Sequence, residues 1–283
     1  KSQNIFSGGV TANYAVAVAR LGGSVGFFGA IGDDDYGRYL LEDFKQEKVD
    51  INNIILKKNH KTPVNFIFVD ETTGEKVIIQ SPYMHTTVPT LNDFNENSLK
   101  GVRLIHTTGI YPDVAEKAFH LAKQKNILIS FDLEKQIAAW GNKRIESMLK
   151  YVDILLPNKL GAMQLTNSQN VEDAAQKLLD FGIKTVVITQ GEQGATAFTE
   201  SDRIKVPAIK IKPVDTTGAG DTFCAAFTFY HGIQKKSIRD SLQIANVAAG
   251  LKTLKLGART GMPNQEEIKR YIQHYKIKLE SEL

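Results

Sequence analysis

The chain has 283 residues, of which 42% are hydrophobic and 23% charged, and its formal net charge is +4. A chain of this length can bury a large core without disulfides, and its one cysteine, Cys224, excludes an internal disulfide and a cysteine-rich zinc site. Because the sequence contains no long apolar run, signal peptide or sustained basic stretch, we expect a cytoplasmic protein that binds neither membranes nor nucleic acid.

In chain order, short apolar runs alternate with segments of helical periodicity. Strands are predicted at residues 25–30, 104–107, 127–131, 154–156 and 185–189. Helices are predicted at residues 11–21, 36–47, 114–125, 171–181, 221–232, 238–254 and 265–275. The alternation indicates βαβ units, and therefore an α/β fold with a mostly parallel sheet covered by helices. Ligands of such sheets bind beyond the carboxyl ends of the strands.

One segment departs from this alternation. Residues 62–70 alternate polar and apolar side chains, residues 72–74 have turn chemistry, and residues 76–80 return, which together predict a β-hairpin. A hairpin inserted into an α/β domain is expected to lie outside the main sheet. It is either a surface excursion or a lid that closes over a site and excludes water.

Residues 215–221 read Asp-Thr-Thr-Gly-Ala-Gly-Asp and lead directly into an apolar helical run. Glycines let a ligand approach the backbone closely, and the N–H groups at a helix N-terminus attract anions. A carboxylate in the first turn, Asp221, serves either as a helix cap or as a base beside a bound anion. The sequence contains no P-loop and no Gly-x-Gly-x-x-Gly after a strand, so this turn is the candidate phosphate site.

A second motif lies near the start of the chain. It reads Gly8-Gly9-Val10-Thr11-Ala12-Asn13 and is followed by Ala-Arg-Leu-Gly at 19–22 and Gly-Ala-Ile-Gly-Asp-Asp at 29–34. Together with residues 215–223, it resembles the paired signatures of the ribokinase-like (PfkB) carbohydrate kinases, closest in motif to fructokinases and 2-keto-3-deoxygluconate kinases. The resemblance runs from Gly8 to about Glu267 and lacks the family's first strand, which we therefore expect to be missing at the N-terminus.

The resemblance implies a three-layer α/β/α fold with a mostly parallel central sheet and a small β-sheet lid. Residues 8–56 and 86–283 would form the α/β domain that binds nucleotide and substrate, and residues 1–7 and 57–85 would form the lid. Lids of this family often pair, which implies a homodimer.

The resemblance also implies a catalytic centre for phosphoryl transfer from ATP with Mg²⁺. Asp221 would be the general base, with the N–H groups of Gly218, Ala219 and Gly220 as the anion hole. Gly8, Gly9 and Asn13 would contact sugar hydroxyls. The nucleotide would be bound by Asn158, Thr189, Gly191, Gly194 and Asn246. In the family's Asn-x-x-Glu motif the glutamate position is Gly161 here, which puts the usual metal–water network in question.

Two further positions match a monovalent-cation site. By resemblance, Asp215 and Thr217 would bind potassium together with backbone carbonyls near Lys252, Gly257 and Gly261. A cation there would set the electrostatics of the neighbouring anion hole.

The acceptor remains open among several classes. Val10 replaces the lysine of ribokinases, which argues against ribose, while Glu134 and Gln136 replace the asparagine and arginine of sugar-acid kinases. We expect a small carbohydrate as substrate. The alternatives are a nucleoside, for which Tyr14, Tyr83 and Tyr111 are candidate stacking residues, and a non-catalytic sugar sensor, which Gly161 suggests.

Overall fold

The computed structural model describes residues 5–69, 76–133 and 142–283. Its strands are β1 (Gly29–Gly32), β2 (Ile54–Lys57), β3 (Phe66–Val69), β4 (Lys76–Ile79), β5 (Leu104–Thr107), β6 (Leu128–Phe131), β7 (Ile154–Leu155), β8 (Thr185–Thr189), β9 (Ala195–Phe198) and β10 (Arg203–Val206). Its helices are α1 (Val10–Arg20), α2 (Asp35–Gln46), α3 (Pro112–Gln124), α4 (Asn142–Leu149), α5 (Lys159–Thr166), α6 (Val171–Leu179), α7 (Ala219–Phe227), α8 (Ile238–Lys252) and α9 (Gln265–His274).

The central sheet has six strands in the order β10-β9-β8-β7-β6-β5. Strands β5 to β8 are parallel, whereas β9 and β10 return antiparallel. The predicted alternation of strands and helices is therefore confirmed over the middle of the chain. Helices α4 and α5 and strands β2, β9 and β10 were not anticipated.

Two apolar cores lie on the two faces of this sheet. Along β8, Val187 packs into the core that holds α1, α7 and α8, while Val186 and Ile188 pack into the core that holds α3 and α6. Because successive strand residues point to opposite faces, both faces need apolar side chains. The helix–sheet–helix arrangement agrees with the predicted three layers.

The strand predicted at 25–30 is wrong in its bounds, and its partner was not predicted. The ladder in this region is Gly29–Gly32, and it pairs in parallel with Ile54–Lys57 in a separate two-stranded sheet. Upstream, Gly26 makes only an isolated bridge to Asp50. Apolar content alone does not specify a strand's hydrogen-bonding partner, because partners depend on tertiary packing.

The β3–β4 hairpin also forms a sheet of its own. The predicted turn at 72–74 lies outside the described residues. Of the side chains on this hairpin, Phe66, Ile67, Phe68, Val77, Ile78 and Ile79 are each more than half exposed. Among the described residues, no helix combines the length and apolar character needed to span a bilayer.

Candidate active site

The turn before α7 is built around Gly218. This residue has φ +81°, a region that L side chains rarely adopt, and a Cβ placed on it would collide with the carbonyl oxygen of Ala258. Glycine is thus required both by the backbone conformation and by the close approach of the 258 loop. The turn sets the N-terminus of α7, with its partial positive charge, towards the site.

One of the three expected anion-hole donors is occupied within the turn. The N–H of Ala219 donates to the carbonyl oxygen of Thr216 at 3.1 Å. Gly220 is exposed, and a Cβ there would meet no atom within 4 Å. In this conformation, Gly218 and Gly220 are therefore the better placed of the three to donate to an anion.

The two sequence motifs meet at Asp221. The side-chain amide of Asn13, at the start of α1, donates from Nδ2 to Oδ2 of Asp221 at 2.7 Å, across 208 residues of sequence. Asn13 is buried, whereas Asp221 is only partly buried. The carboxylate is thus held from its protein side.

Arg259 orients Asn13 and was not identified from the sequence. Its Nε donates to Oδ1 of Asn13 at 2.9 Å and one terminal nitrogen donates to the carbonyl oxygen of Gly8 at 2.9 Å. Its other terminal nitrogen pairs with Asp43. Because the Asn13 oxygen faces a guanidinium, its NH₂ group must face Asp221.

Burial of the Arg259 guanidinium lowers its pKa, and Asp43 opposes that effect. Arginine stays protonated nonetheless, so the chain of contacts from Asp43 through Arg259 and Asn13 to Asp221 is anchored by a permanent charge. We call these four residues the Arg259 network.

The Arg259 network predicts a specific double-mutant result. Arg259→Met alone leaves the Asp43 carboxylate without its partner and frees the Asn13 amide, and we expect a loss of about 3 kcal/mol in unfolding free energy and a lower kcat. Adding Asp43→Leu should restore much of the stability without restoring kcat. Chemical unfolding and steady-state kinetics on the two single variants and the double variant measure both effects. Equal kcat for Arg259→Met and wild type would contradict the positioning role.

Asp221 and the sugar-contact residues open into one cavity of about 1540 Å³. Its lining includes Gly8, Gly9, Asn13, Gly218 and Asp221. Residues from β1, β5 and the hairpin also line it. The structure therefore brings the predicted base, one anion-hole residue and all three predicted sugar contacts to a single space.

The hairpin meets this cavity through one face. Ile67 and Ile78 are register partners in the hairpin, and both line the cavity. The pairs on either side, Phe66–Ile79 and Phe68–Val77, point to the opposite face. One face of the hairpin therefore borders the same space as Asp221.

An aromatic stack forms another wall of the cavity. The rings of Tyr14 and His106 are parallel, with centroids 3.7 Å apart, and the hydroxyl of Tyr14 is 2.6 Å from that of Thr228. Burial lowers the pKa of His106 to about 3 and raises that of Tyr14. His106 is therefore neutral at pH 7, and it lies 3.0 Å through Nδ1 from Ser130.

The three tyrosines proposed as nucleobase platforms have different surroundings. The ring of Tyr14 is already covered by His106. Tyr111 lines the cavity, whereas Tyr83 is exposed and is not among the cavity's lining residues. Tyr111 is the tyrosine of this set best placed to contact an acceptor.

The predicted nucleotide residues lie elsewhere. Asn158 and Thr189 form an isolated parallel bridge beyond β7 and β8, which agrees with a ligand site at the carboxyl ends of strands. Asn158 also caps α5, accepting from the N–H of Gly161 at 2.8 Å. The loop with Gly191 and Gly194 follows Thr189, and both glycines have positive φ.

Asn246 has a structural contact that its predicted role did not suggest. Its buried amide donates to the carbonyl oxygens of Val206 and Pro207 at 3.1 and 3.2 Å. It therefore pins the end of β10 to α8. None of the five predicted nucleotide residues lines the cavity that contains Asp221.

The predicted cation-site residues converge on Asp215. Its Oδ1 accepts from the N–H and hydroxyl of Thr217 at 3.0 and 2.7 Å, and its Oδ2 accepts from the N–H of Gly257 at 2.9 Å. Gly261 packs against the carbonyl of Lys252 so closely that a Cβ would collide with it. The Lys252 side chain is itself directed to this loop, and its Nζ donates to the backbone carbonyl of Asp215 at 2.9 Å.

The part of the chain that the structure describes shows neither a divalent site made only of protein side chains nor an acidic cage. Within residues 5–69, 76–133 and 142–283, no group of three or more His, Cys, Asp or Glu side chains could hold a metal ion. The segment with Glu134 and Gln136, as well as Trp140, lies outside those ranges.

A largely parallel α/β sheet with a helix N-terminus beside a held carboxylate fits a class of protein, the small-molecule phosphotransferases. Within that class, this chain belongs to the pfkB family of carbohydrate kinases, whose family model matches residues 1–265. The recognition made from the two motifs is confirmed.

Individual relatives agree with this membership. A ribokinase of Staphylococcus aureus (strain COL) is 29% identical and covers 95% of this chain and 88% of its own. The crystal structure of a putative ribokinase II from E. coli with ATP and Mg²⁺ has a TM-score of 0.86 and 25% identity, covering 97% of this chain and 92% of its own. A fructokinase double mutant of Vibrio cholerae O395, bound to fructose, ADP and a potassium ion, has a TM-score of 0.79 and 25% identity, covering 95% and 91%.

Proposed function

We propose that this protein is an ATP-dependent kinase that transfers the γ-phosphate to a hydroxyl group of a small carbohydrate. The observation that carries the proposal is the meeting of Asn13, Asp221 and the Gly218 turn at one cavity. At this cavity lie a proposed base, a helix N-terminus proposed to bind an anion, and the backbone at Gly8 and Gly9, which a polyol could approach closely.

In the proposed reaction, Asp221 accepts the proton of the acceptor hydroxyl as that oxygen bonds to the γ-phosphorus. The bond from phosphorus to the bridging oxygen breaks, and ADP leaves with the electron pair. Phosphoryl transfer needs alignment and charge stabilisation more than covalent help. The turn at Gly218 and Gly220 would supply backbone donors and the α7 dipole to the migrating phosphoryl group.

The proposed binding of nucleotide and magnesium rests on the relatives as well as on this structure. ATP is proposed as the phosphate donor, which the E. coli relative with ATP and Mg²⁺ supports. Asn158, Thr189 and the loop with Gly191 and Gly194 are proposed to hold it, because they lie beyond the carboxyl ends of β7 and β8. Mg²⁺ would neutralise the charge of the nucleotide phosphates. The absence of an acidic cage in the described ranges suits this ion, since Mg²⁺ keeps several waters and needs few protein ligands when phosphates are present.

The test is a panel of sugars, sugar acids and nucleosides, assayed for ADP release with Mg²⁺-ATP. Sugar phosphorylation supports the proposal. Turnover of nucleosides alone would favour the nucleoside alternative, for which Tyr111 at the cavity supplies an aromatic wall. Sugar binding by calorimetry without any ADP release would favour the sensor, in which Gly161 replaces the family's glutamate.

We also propose that the outer face of the hairpin forms a homodimer contact. This face carries Phe66, Phe68, Val77 and Ile79, each more than half exposed, and a two-stranded sheet is marginal in water without a covering layer. A second copy offers the same apolar face, as a two-fold interface requires.

The dimer contact predicts that Phe66→Ser with Phe68→Ser yields a monomer. Sedimentation velocity over a range of concentrations measures the mass. Leu91→Ser is the matched control, because Leu91 is an exposed apolar residue on a 3₁₀ turn outside the hairpin. Ile51→Ser would be unsuitable, because Ile51 packs against a core. A wild-type chain that stays monomeric at high concentration would overturn the contact.

A further inference from the structure

Lys252 places an amino group where few proteins place one. It is the last residue of α8, and its side chain is completely buried. An ammonium group removed from water is costly unless oxygen atoms surround it. The backbone carbonyl oxygen of Asp215 lies 2.9 Å from Nζ and accepts its hydrogen bond.

The Lys252 amino group contacts Asp215, the residue on which the predicted monovalent-cation site converges. Asp215 is the residue whose carboxylate also binds Thr217 and Gly257, and the Lys252 backbone carbonyl lies against Gly261. Every residue assigned to the cation site is therefore in contact with Asp215 or with Lys252. A lysine ammonium has the charge of a potassium ion and donates up to three hydrogen bonds to such oxygens.

The same contacts lead to the phosphate turn. Asp215 lies three residues before Gly218 in the sequence, and Gly218 packs on the carbonyl of Ala258, the residue after Gly257. A positive charge fixed at Asp215 therefore holds both the turn and the loop on which the turn rests.

We propose that the Lys252 ammonium takes the place of the monovalent cation, so that this protein needs no potassium. The inference rests on the proposed function of the Gly218 turn as an anion site. A second monovalent cation bound at the same aspartate would be repelled by the ammonium. The potassium-bound fructokinase relative would then differ from this chain in how it supplies the charge.

The first arm of the test uses the wild-type protein. Kinase rate and thermal unfolding temperature are measured in potassium chloride and in choline chloride at equal ionic strength. We expect both quantities to be the same in the two salts. A rate or an unfolding temperature that rises with potassium would overturn the proposal. The unfolding readout needs no substrate, so it stands even if no acceptor is found.

The second arm removes the ammonium. Lys252→Ala opens space at the site, and we expect kcat to fall on the order of 10²-fold in choline, as for loss of a fixed donor at an anion site. Potassium or ammonium ions should restore a large part of the rate and the unfolding temperature. Lys252→Met fills the space without charge and should not be rescued. Lys255→Ala, an exposed neighbour on the same loop, is the control and should behave as wild type.

Two results of this arm decide against the proposal. If Lys252→Ala and Lys252→Met both keep the wild-type rate in choline, the ammonium has no such role. If Lys252→Ala loses stability and no small cation restores it, the side chain only fills the core. If neither variant folds, the wild-type comparison of the two salts still decides.

Discussion

Asp221→Asn is expected to lower kcat by about 10²–10⁴-fold, the usual contribution of a general base. Asparagine has the shape of aspartate, and its side-chain oxygen can still accept the hydrogen bond from Asn13. Folding and sugar binding should therefore change little, while proton removal from the acceptor is lost. Steady-state kinetics on the true acceptor, with calorimetry for sugar binding, measure the two effects separately.

The matched control for this variant is Asp35→Asn. Asp35 is an exposed carboxylate in the first turn of α2 and is not among the residues that line the cavity, so its neutralisation should leave kcat unchanged. If Asp221→Asn turned over the acceptor as fast as the control, Asp221 would be a helix cap rather than a base, and the proposed mechanism would be wrong.

Gly218→Ala is expected to lose both stability and activity. Alanine at φ +81° is strained by about 1–2 kcal/mol, and its methyl group would also collide with the Ala258 carbonyl. The turn must shift to relieve the collision, and this shift moves the N-terminus of α7, with Asp221, away from Asn13. We expect a loss of about 2–3 kcal/mol in unfolding free energy, with kcat reduced more than the stability change explains. Urea unfolding and initial rates test this.

Gly220→Ala provides the contrast in stability. Gly220 lies inside the first turn of α7, and a methyl group there would meet nothing within 4 Å. Alanine favours a helix over glycine by about 0.5–1 kcal/mol, so unfolding free energy should stay the same or rise. If both glycine variants destabilised the protein equally, the argument from φ at Gly218 would fail.

The local chemistry of the site was predictable from sequence because it depends on neighbours in the chain. The Gly-Ala-Gly run and Asp221 indicate a helix N-terminus with a carboxylate, and the four parallel strands β5 to β8 follow the alternation of apolar runs. Arg259 gave no such signal. Its partners, Asn13 and Gly8, are 246 and 251 residues away, and a lone arginine in a glycine-containing loop ordinarily faces solvent.

The bounds and the partner of the first strand were also not predictable from the sequence. Residues 25–30 are apolar enough for a buried strand, yet the ladder begins at Gly29 and joins β2. The partners of the Asn246 side chain were not predictable either, since its amide donates hydrogen bonds to the backbone carbonyls of Val206 and Pro207. Such partners are set by tertiary packing, which a single sequence does not encode locally.

The Arg259 network has a consequence for biosynthesis. During synthesis, Asn13 in α1 is translated 246 residues before the arginine whose guanidinium orients it. Contacts this distant along the chain slow folding. We therefore expect a polypeptide that stops before Arg259 to hold Asn13 and the Asp221 carboxylate less firmly, and to have a lower kcat, even when its central sheet has assembled.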